Sequence, residues 1–183
     1  MQLTSQQALP VSQAIAWQAL NDVTMLQAAI PGCESLTLIG ENEYEAALSV
    51  AIGPVKAKFK GKLKLSDLQP PASYRIAFEG QGGQAGHGKG TAQVRLEAVS
   101  ANECLLHYEV QASVGGKIAQ IGSRLIDMAA QKMAHDFFAS FNMLLQQRYA
   151  VAPAEPVASA PARNPLQRLL DWLRKHLFSR RNS

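Results

Sequence analysis

The sequence predicts an α+β fold in which a curved antiparallel sheet wraps around a long C-terminal helix and leaves an apolar cavity between them. Three observations lead to this prediction. Apolar and polar residues alternate from about residue 35 to residue 114, which is typical of half-buried strands. The period becomes helical after residue 116 and stays so to about residue 149. The inward positions mix alanine and glycine with large side chains, which leaves room between sheet and helix.

Three short elements precede the main sheet. A first strand is predicted at residues 3–9. Ser12 then caps a first helix, because its hydroxyl can accept a hydrogen bond from a free N–H of the first turn. Asp22 begins a second short helix, which ends at Pro31 and Gly32.

The stretch "KAKFKGKLKL" is the clearest strand. Five lysines alternate with apolar or small residues, so the lysines point to water and Phe59 and Leu63 point inward. Such a ladder fits an anion-binding surface or, more simply, a solvated face that resists edge-to-edge aggregation. Turn residues at Gly53–Pro54, Pro70–Pro71 and Ala101–Asn102 divide the region into about six antiparallel strands.

The helical pattern covers about 33 residues, or about 50 Å. Its apolar stripe is Ile118, Ile121, Leu125, Ala129, Met133, Phe137, Phe141 and Leu144. This order of elements predicts a helix-grip fold. Alternation and the stripe give the predicted cavity wall: Phe59, Leu63, Phe78, Tyr108, Leu125, Met133 and Phe137. A tight core that requires small residues explains the same alanines equally well.

The sequence contains no recognisable catalytic constellation. Gly83 to Lys89 reads G-x-x-x-x-G-K, but Gly90 stands where a phosphate-binding loop needs Ser or Thr, and a strand follows instead of a helix. A flexible hairpin at the cavity rim is the expected role. The four histidines fall on different elements and predict no metal site, and Cys33 and Cys104 are expected to be small buried hydrophobes. Without an inward general base, the pattern favours a ligand-binding protein over an enzyme.

The positive net charge is confined to the C-terminal region. Residues 1–150 carry 12 basic and 12 acidic residues, whereas residues 151–183 carry six basic and two acidic residues. A neutral body offers no basic face to a phosphate backbone, so nucleic acid is excluded as a partner.

The stretch "NPLQRLLDWLRKHLFSRR" predicts an amphipathic basic helix at residues 164–181, with Asn164 as its cap and Pro165 in its first turn. Apolar residues share one side, aromatic residues flank them, and basic residues surround them, which is typical of a helix that lies in an anionic membrane surface. The residues predicted to bind the membrane are Leu166, Arg168, Leu169, Leu170, Trp172, Leu173, Arg174, Lys175, Leu177, Phe178, Arg180 and Arg181. Each basic residue near such a surface adds about 1 kcal/mol, so attachment is expected to be reversible. Docking in a groove of a partner protein and packing on the body are the alternatives.

The chain is therefore expected to comprise a ligand-binding domain at residues 1–150, an Ala/Pro-rich flexible linker at residues 151–163, and the membrane-binding helix at residues 164–181. The linker could extend to about 40 Å in a polyproline-like conformation. No apolar run is long enough to span a bilayer and no signal peptide is apparent, which predicts a cytoplasmic protein at the inner face of the membrane.

Three blocks of the sequence resemble the CoxG family of carbon monoxide dehydrogenase subunits, within the START/Bet v 1-like (SRPBCC) superfamily. They are "IPGCESL" at residues 30–36, "VAIGPVKAKFKGKLKL" at residues 50–65 and "VGGKIAQIGSRLIDMAAQKMAHDFF" at residues 114–138. The glycine-rich "GGQAGHGKGTA" lies between the last two, in the expected order. The resemblance covers about residues 1–148.

The resemblance implies an accessory protein that brings a molybdenum-containing hydroxylase, such as carbon monoxide dehydrogenase, to the inner membrane. It also implies that the cavity holds a respiratory quinone, with no covalent cofactor. Xanthine dehydrogenase-like and hydrogenase systems are alternative clients. A recruitment adaptor without a ligand and a small-molecule enzyme on the same fold are alternative functions.

Overall fold

A computed structural model describes residues 1–149 of the chain. The predicted linker and membrane-binding helix lie outside the described residues. In chain order the elements are β1 (Gln2–Leu9), α1 (Gln13–Leu20), α2 (Val23–Ala29), β2 (Cys33–Gly40), β3 (Glu43–Ile52), β4 (Val55–Gln69), β5 (Ser73–Gln81), β6 (His87–Ser100), β7 (Glu103–Gly115), α3 (Lys117–Gln120) and α4 (Ser123–Tyr149), with a short 3-10 turn at Gly83–Ala85.

All seven strands form one antiparallel sheet in the order β1-β7-β6-β5-β4-β3-β2. Strands β2 to β7 each pair with the next strand in sequence, which confirms the predicted six-stranded meander. β1 pairs with β7, so β1 and β2 form the two edges of the sheet. The helices α1 and α2 therefore connect one edge of the curved sheet to the other.

Both predicted helix caps are confirmed. The Ser12 hydroxyl accepts a hydrogen bond from the N–H of Ile15 at 3.4 Å. The Asp22 carboxylate accepts hydrogen bonds from the N–H groups of Thr24 and Met25 at 2.9 and 3.2 Å. Its second oxygen lies 2.6 Å from the guanidinium of Arg148, so this one residue starts α2 and ties it to the end of α4.

The prediction of one continuous C-terminal helix is wrong. The structure has a four-residue α3 and a 27-residue α4 instead. Gly122 lies between them with a φ of +97°. Residues with a side chain rarely adopt this conformation, so the glycine permits the change of direction.

The predicted apolar stripe of the helix also needs correction. Ile126, Phe138 and Leu145 are buried on α4, whereas Leu125 is 44% exposed. The predicted stripe advanced mostly in steps of four residues. Because an α-helix has 3.6 residues per turn, each such step drifts by about 40° around the axis. The stripe therefore started on the exposed side of α4 and reached the buried side only near Phe141.

The tightly packed core lies toward one end of the concave face of the sheet. Its fully buried large side chains come from β1, β7 and the second half of α4: Leu9, Cys104, Leu106, Phe141 and Leu145. α1 adds Ala16 and Ala19 to the same cluster. The ring of Trp17 on α1 meets Tyr74 on β5 edge to face, with centroids 5.5 Å apart.

Candidate ligand-binding site

The concave face, defined here as the side of the sheet that carries Tyr74, Val94 and Leu106, is filled only at one end. These three side chains are buried in the core. Other inward side chains remain only half-buried and lie outside the core cluster: Leu48, Val50, Phe59, Leu63, Phe78, Val110, Ala112 and Val114. Because protein interiors are normally close-packed, partly exposed inward side chains indicate unfilled space beside this part of the sheet.

Three of the predicted wall residues lie together in this half-filled region. Leu63 on β4 is in register with Phe78 on β5, which in turn pairs with Gly90 on β6. Phe59 lies four residues before Leu63 on the same side of β4. The rings of Phe59 and Phe78 cover Gly82 and Gly90, since a Cβ at either glycine would overlap the ring. The small residues thus fix where the aromatic rings lie.

The other predicted wall residues have different surroundings. Tyr108 and Phe137 are packed against the core, and their ring centroids lie 5.3 and 5.0 Å from that of Phe138. They mark the boundary between the core and the half-filled region. Met133 is half-buried. Leu125 is largely exposed and lies beside Gly53 in the β3–β4 turn, at the opposite end from the core.

The glycine-rich segment joins β5 to β6 through the 3-10 turn, as predicted for a hairpin. Gly83 and Gly86 have φ angles of +58° and +119°. A Cβ at Gly86 would overlap the backbone of Gly115, so the hairpin packs closely against the end of β7. A strand follows the segment, and it therefore lacks the helix N-terminus that a phosphate-binding loop requires.

The outer face of the sheet is polar, and all five predicted outward lysines are exposed. Lys58 and Lys64 form ion pairs with Glu34 and Glu43, at 2.8 and 2.7 Å. The hydrogen bond from His107, followed by that from Arg95, lowers the pKa of Glu97. These exposed pairs support a solvated face, as the simpler interpretation of the lysine ladder predicted.

A groove of about 880 Å³ crosses this outer face. Each of its central strands contributes a pair of outward residues, such as Lys62 and Lys64 on β4 and Lys89 and Thr91 on β6. The groove therefore lies on the opposite side of the sheet from the predicted cavity.

One polar residue on α4 was missed by the sequence analysis. The Oδ1 atom of Asp127 is closed off from solvent and has no hydrogen-bond partner among the described residues. Counting back from Leu145 at about 100° per residue brings Asp127 to the same line along the helix. The signal was present in the sequence, but the predicted stripe followed Leu125 instead.

Thiol and metal chemistry find little support. Burial raises the pKa of the Cys104 thiol to about 11 and also raises the pKa of Cys33, which disfavours the reactive thiolates. Cys104 is fully buried, as predicted, whereas Cys33 is only partly buried. Within residues 1–149, no group of His, Cys, Asp and Glu side chains has the arrangement of a metal site. None of the helices described for this chain is both long and apolar enough to cross a membrane.

The curved seven-stranded sheet and its C-terminal helix place the protein among the START/Bet v 1-like proteins, which confirms the predicted helix-grip fold class. A START superfamily protein from Mycobacterium smegmatis aligns with a TM-score of 0.63 at 9% identity, over 80% of this chain and 98% of that one. The ZhuI aromatase/cyclase from Streptomyces sp. R1128 aligns with a TM-score of 0.60 at 13% identity, over 84% and 98% of the two chains. The fold therefore also occurs in enzymes.

The chain belongs to the CoxG family of carbon monoxide dehydrogenase subunits, whose profile matches residues 6–146. A conserved protein from Geobacillus kaustophilus is 31% identical over 80% of this chain and 96% of its own, with a TM-score of 0.76. A search among curated proteins gave no match. The family resemblance drawn from the three sequence blocks is confirmed.

Proposed function

We propose that this protein is a non-catalytic accessory protein that holds a hydrophobic ligand, a respiratory quinone, between the sheet and α4. The half-filled region of the concave face carries this proposal. There Phe59, Leu63 and Phe78 remain partly exposed beside the small residues Gly90 and Ala112. Covering apolar surface stabilises a complex by about 25 cal/mol per Å². A planar ring with a long apolar tail suits a surface made of aromatic rings and gaps.

The family name supports the choice of client. The members are described as a subunit of carbon monoxide dehydrogenase. We therefore propose that the client is a molybdenum-containing hydroxylase of this type and that quinone passes between the enzyme and the bilayer. Purification of the full chain from its host should recover the enzyme with it.

The tail helix at residues 164–181 is proposed to attach the protein to the inner face of the cytoplasmic membrane. Its leucines, Trp172 and Phe178 would enter the lipid interface, and its basic residues would meet anionic head groups. A chain that ends at Ala150 should lose binding to vesicles that contain anionic lipid. The full chain with Leu169→Glu and Leu173→Glu should lose it as well, because both changes put charge on the apolar side. Vesicle binding by the shortened chain would contradict this assignment.

Extraction with organic solvent, followed by mass spectrometry, tests the ligand. Protein purified from its host should carry quinone in near stoichiometric amount. Leu63→Asp should abolish this content, because it places a charge on the half-filled concave face. Lys62→Asp is the matched control, since its side chain is on the outer face. Absence of ligand from the unaltered protein would favour the recruitment adaptor.

Asp127 gives some support to a second candidate, an enzyme on this fold, because an inward carboxylate could act as a general base. Such an enzyme would change the mass of an added ligand during incubation, and Asp127→Asn would abolish the change. A carrier returns the ligand with its mass unaltered. The carrier is preferred because the family consists of accessory proteins and a single carboxylate supplies only one of the groups that acid–base catalysis uses.

A further inference from the structure

The first half of α4 holds an unpaired polar atom on its buried side. Asp127 Oδ1 has almost no solvent exposure and no hydrogen-bond partner among the described residues. Asn142 Oδ1 is the other buried oxygen of this kind, but the amide of Asn142 donates to the carbonyl of Ala8 and so already has a structural role. The Asp127 carboxylate lacks any such contact within residues 1–149. Since an unsatisfied buried acceptor is costly, this oxygen calls for a donor.

The helical geometry places Asp127 beside the half-filled region. Ala134, Phe141 and Leu145 follow Asp127 by 7, 14 and 18 residues, which keeps all four within about 40° of one line along the helix. Phe141 and Leu145 are fully buried against the core. Ala134 is half-buried and small. Asp127 therefore continues the core-facing line of α4 into the part of the molecule where side chains do not fill the interior.

We propose that Asp127 is the polar anchor of the ligand and accepts a hydrogen bond from a ligand hydroxyl. This inference rests on the proposed function. An ionised carboxylate has acceptors only, so it pairs with a hydroxyl and repels a carbonyl oxygen. An oxidised quinone presents two carbonyl acceptors, whereas the reduced quinol presents two hydroxyl donors. The site thus selects the reduced form of an aromatic ligand with an apolar tail, and the proton stays on the ligand.

A matched pair of redox-stable probes tests this inference. Para-hexylphenol and its methyl ether share ring and tail, and only the phenol can donate a hydrogen bond. The full chain is titrated with each probe by calorimetry. A hydrogen bond to a charged acceptor corresponds to about a tenfold or greater preference for the phenol. Asp127→Leu should reduce the preference to about onefold while keeping affinity for the ether, and the nearly isosteric Asp127→Asn should reduce it in part.

Asp136→Asn is the control on the same helix, because the Asp136 carboxylate already pairs with Lys132. It should leave the phenol preference unchanged. Equal binding of both probes to the unaltered protein overturns the role of Asp127 and leaves the hydrophobic-ligand function standing. Binding of neither probe contradicts the proposed function itself. A full preference retained in both Asp127 variants, or lost equally in Asp136→Asn, also overturns the inference.

Discussion

Replacing Ala130 with phenylalanine tests whether the space between α4 and the sheet is real. Ala130 lies four residues after the buried Ile126 and is itself half-buried. Its side chain is directed toward the region where Leu63 and Phe78 remain partly exposed. An unfilled interior can accept a ring at this position, whereas a solid interior cannot.

The two cases differ in the sign of the change in unfolding free energy. Complete burial of a phenylalanine side chain stabilises by about 1.5–3 kcal/mol. Because Ala130 is only half-buried, we expect Ala130→Phe to stabilise by about 1 kcal/mol. Adding the same ring to a close-packed interior destabilises by about 1–3 kcal/mol. The predicted difference between the cases is therefore at least about 2 kcal/mol.

Urea unfolding followed by far-ultraviolet circular dichroism measures this difference. Ala139→Phe is the control, since Ala139 is exposed on α4 and should change stability by less than about 0.5 kcal/mol. Ala130→Phe should also lower the quinone content of protein purified from the host, because the ring occupies the ligand's space. A loss of about 1 kcal/mol or more in Ala130→Phe alone would refute the hollow interior.

Three further changes test the packing that frames the site. Asp22→Ala should cost about 1–2 kcal/mol in urea unfolding, and Arg148→Ala less than about 1 kcal/mol, because the Arg148 side chain is 52% exposed. A backbone N–H of α2, and then Arg148, lower the pKa of Asp22, so its contribution is present above an unfolded pKa of about 3.9 and is lost as pH falls through the lower folded pKa. The stability gap between the unaltered protein and Asp22→Ala should therefore close in acid, and a constant gap would contradict this. Gly122→Ala meets no neighbour within 4 Å and should lower the thermal midpoint through backbone strain alone, by about 1–2 kcal/mol. Gly90→Val should reduce both stability and quinone content, because a Cβ there overlaps the backbone of β7, and an unchanged midpoint would show that the strands adjust freely.

Features that depend on neighbouring residues could be predicted from the sequence. The alternation in β4 placed Lys56 and Lys64 outward, and the structure agrees at every position between them. Ser12 and Asp22 were identifiable as caps because the hydrogen bonds of a cap span only two or three residues. Period and capping chemistry are local, so a single sequence contains them.

Features that depend on exact phase or on distance between elements could not be predicted in this way. An error of one residue moved the predicted face of α4 by about 100°, which selected Leu125 in place of Ile126 and overlooked Asp127. Gly122 appeared to be a tolerable glycine within a helical pattern, although its positive φ breaks the helix. The space beside Phe78 depends on how far α4 stands from the sheet, and alternation gives no information on that distance.

The two halves of α4 should differ in local stability, and this difference gives a ligand a way in. Phe141 and Leu145 in the second half are fully buried, and Arg148 anchors that end to α2. In the first half Leu125 and Met128 are 44% and 58% exposed, and the helix begins directly after the break at Gly122. Few buried apolar contacts mean a small free energy of local opening. Amide hydrogen exchange should therefore be faster before Met133 than after it in ligand-free protein, and bound quinone should slow the first half selectively. Uniform protection along α4 would mean that the helix opens only with the whole domain, and entry of the ligand would then require global unfolding.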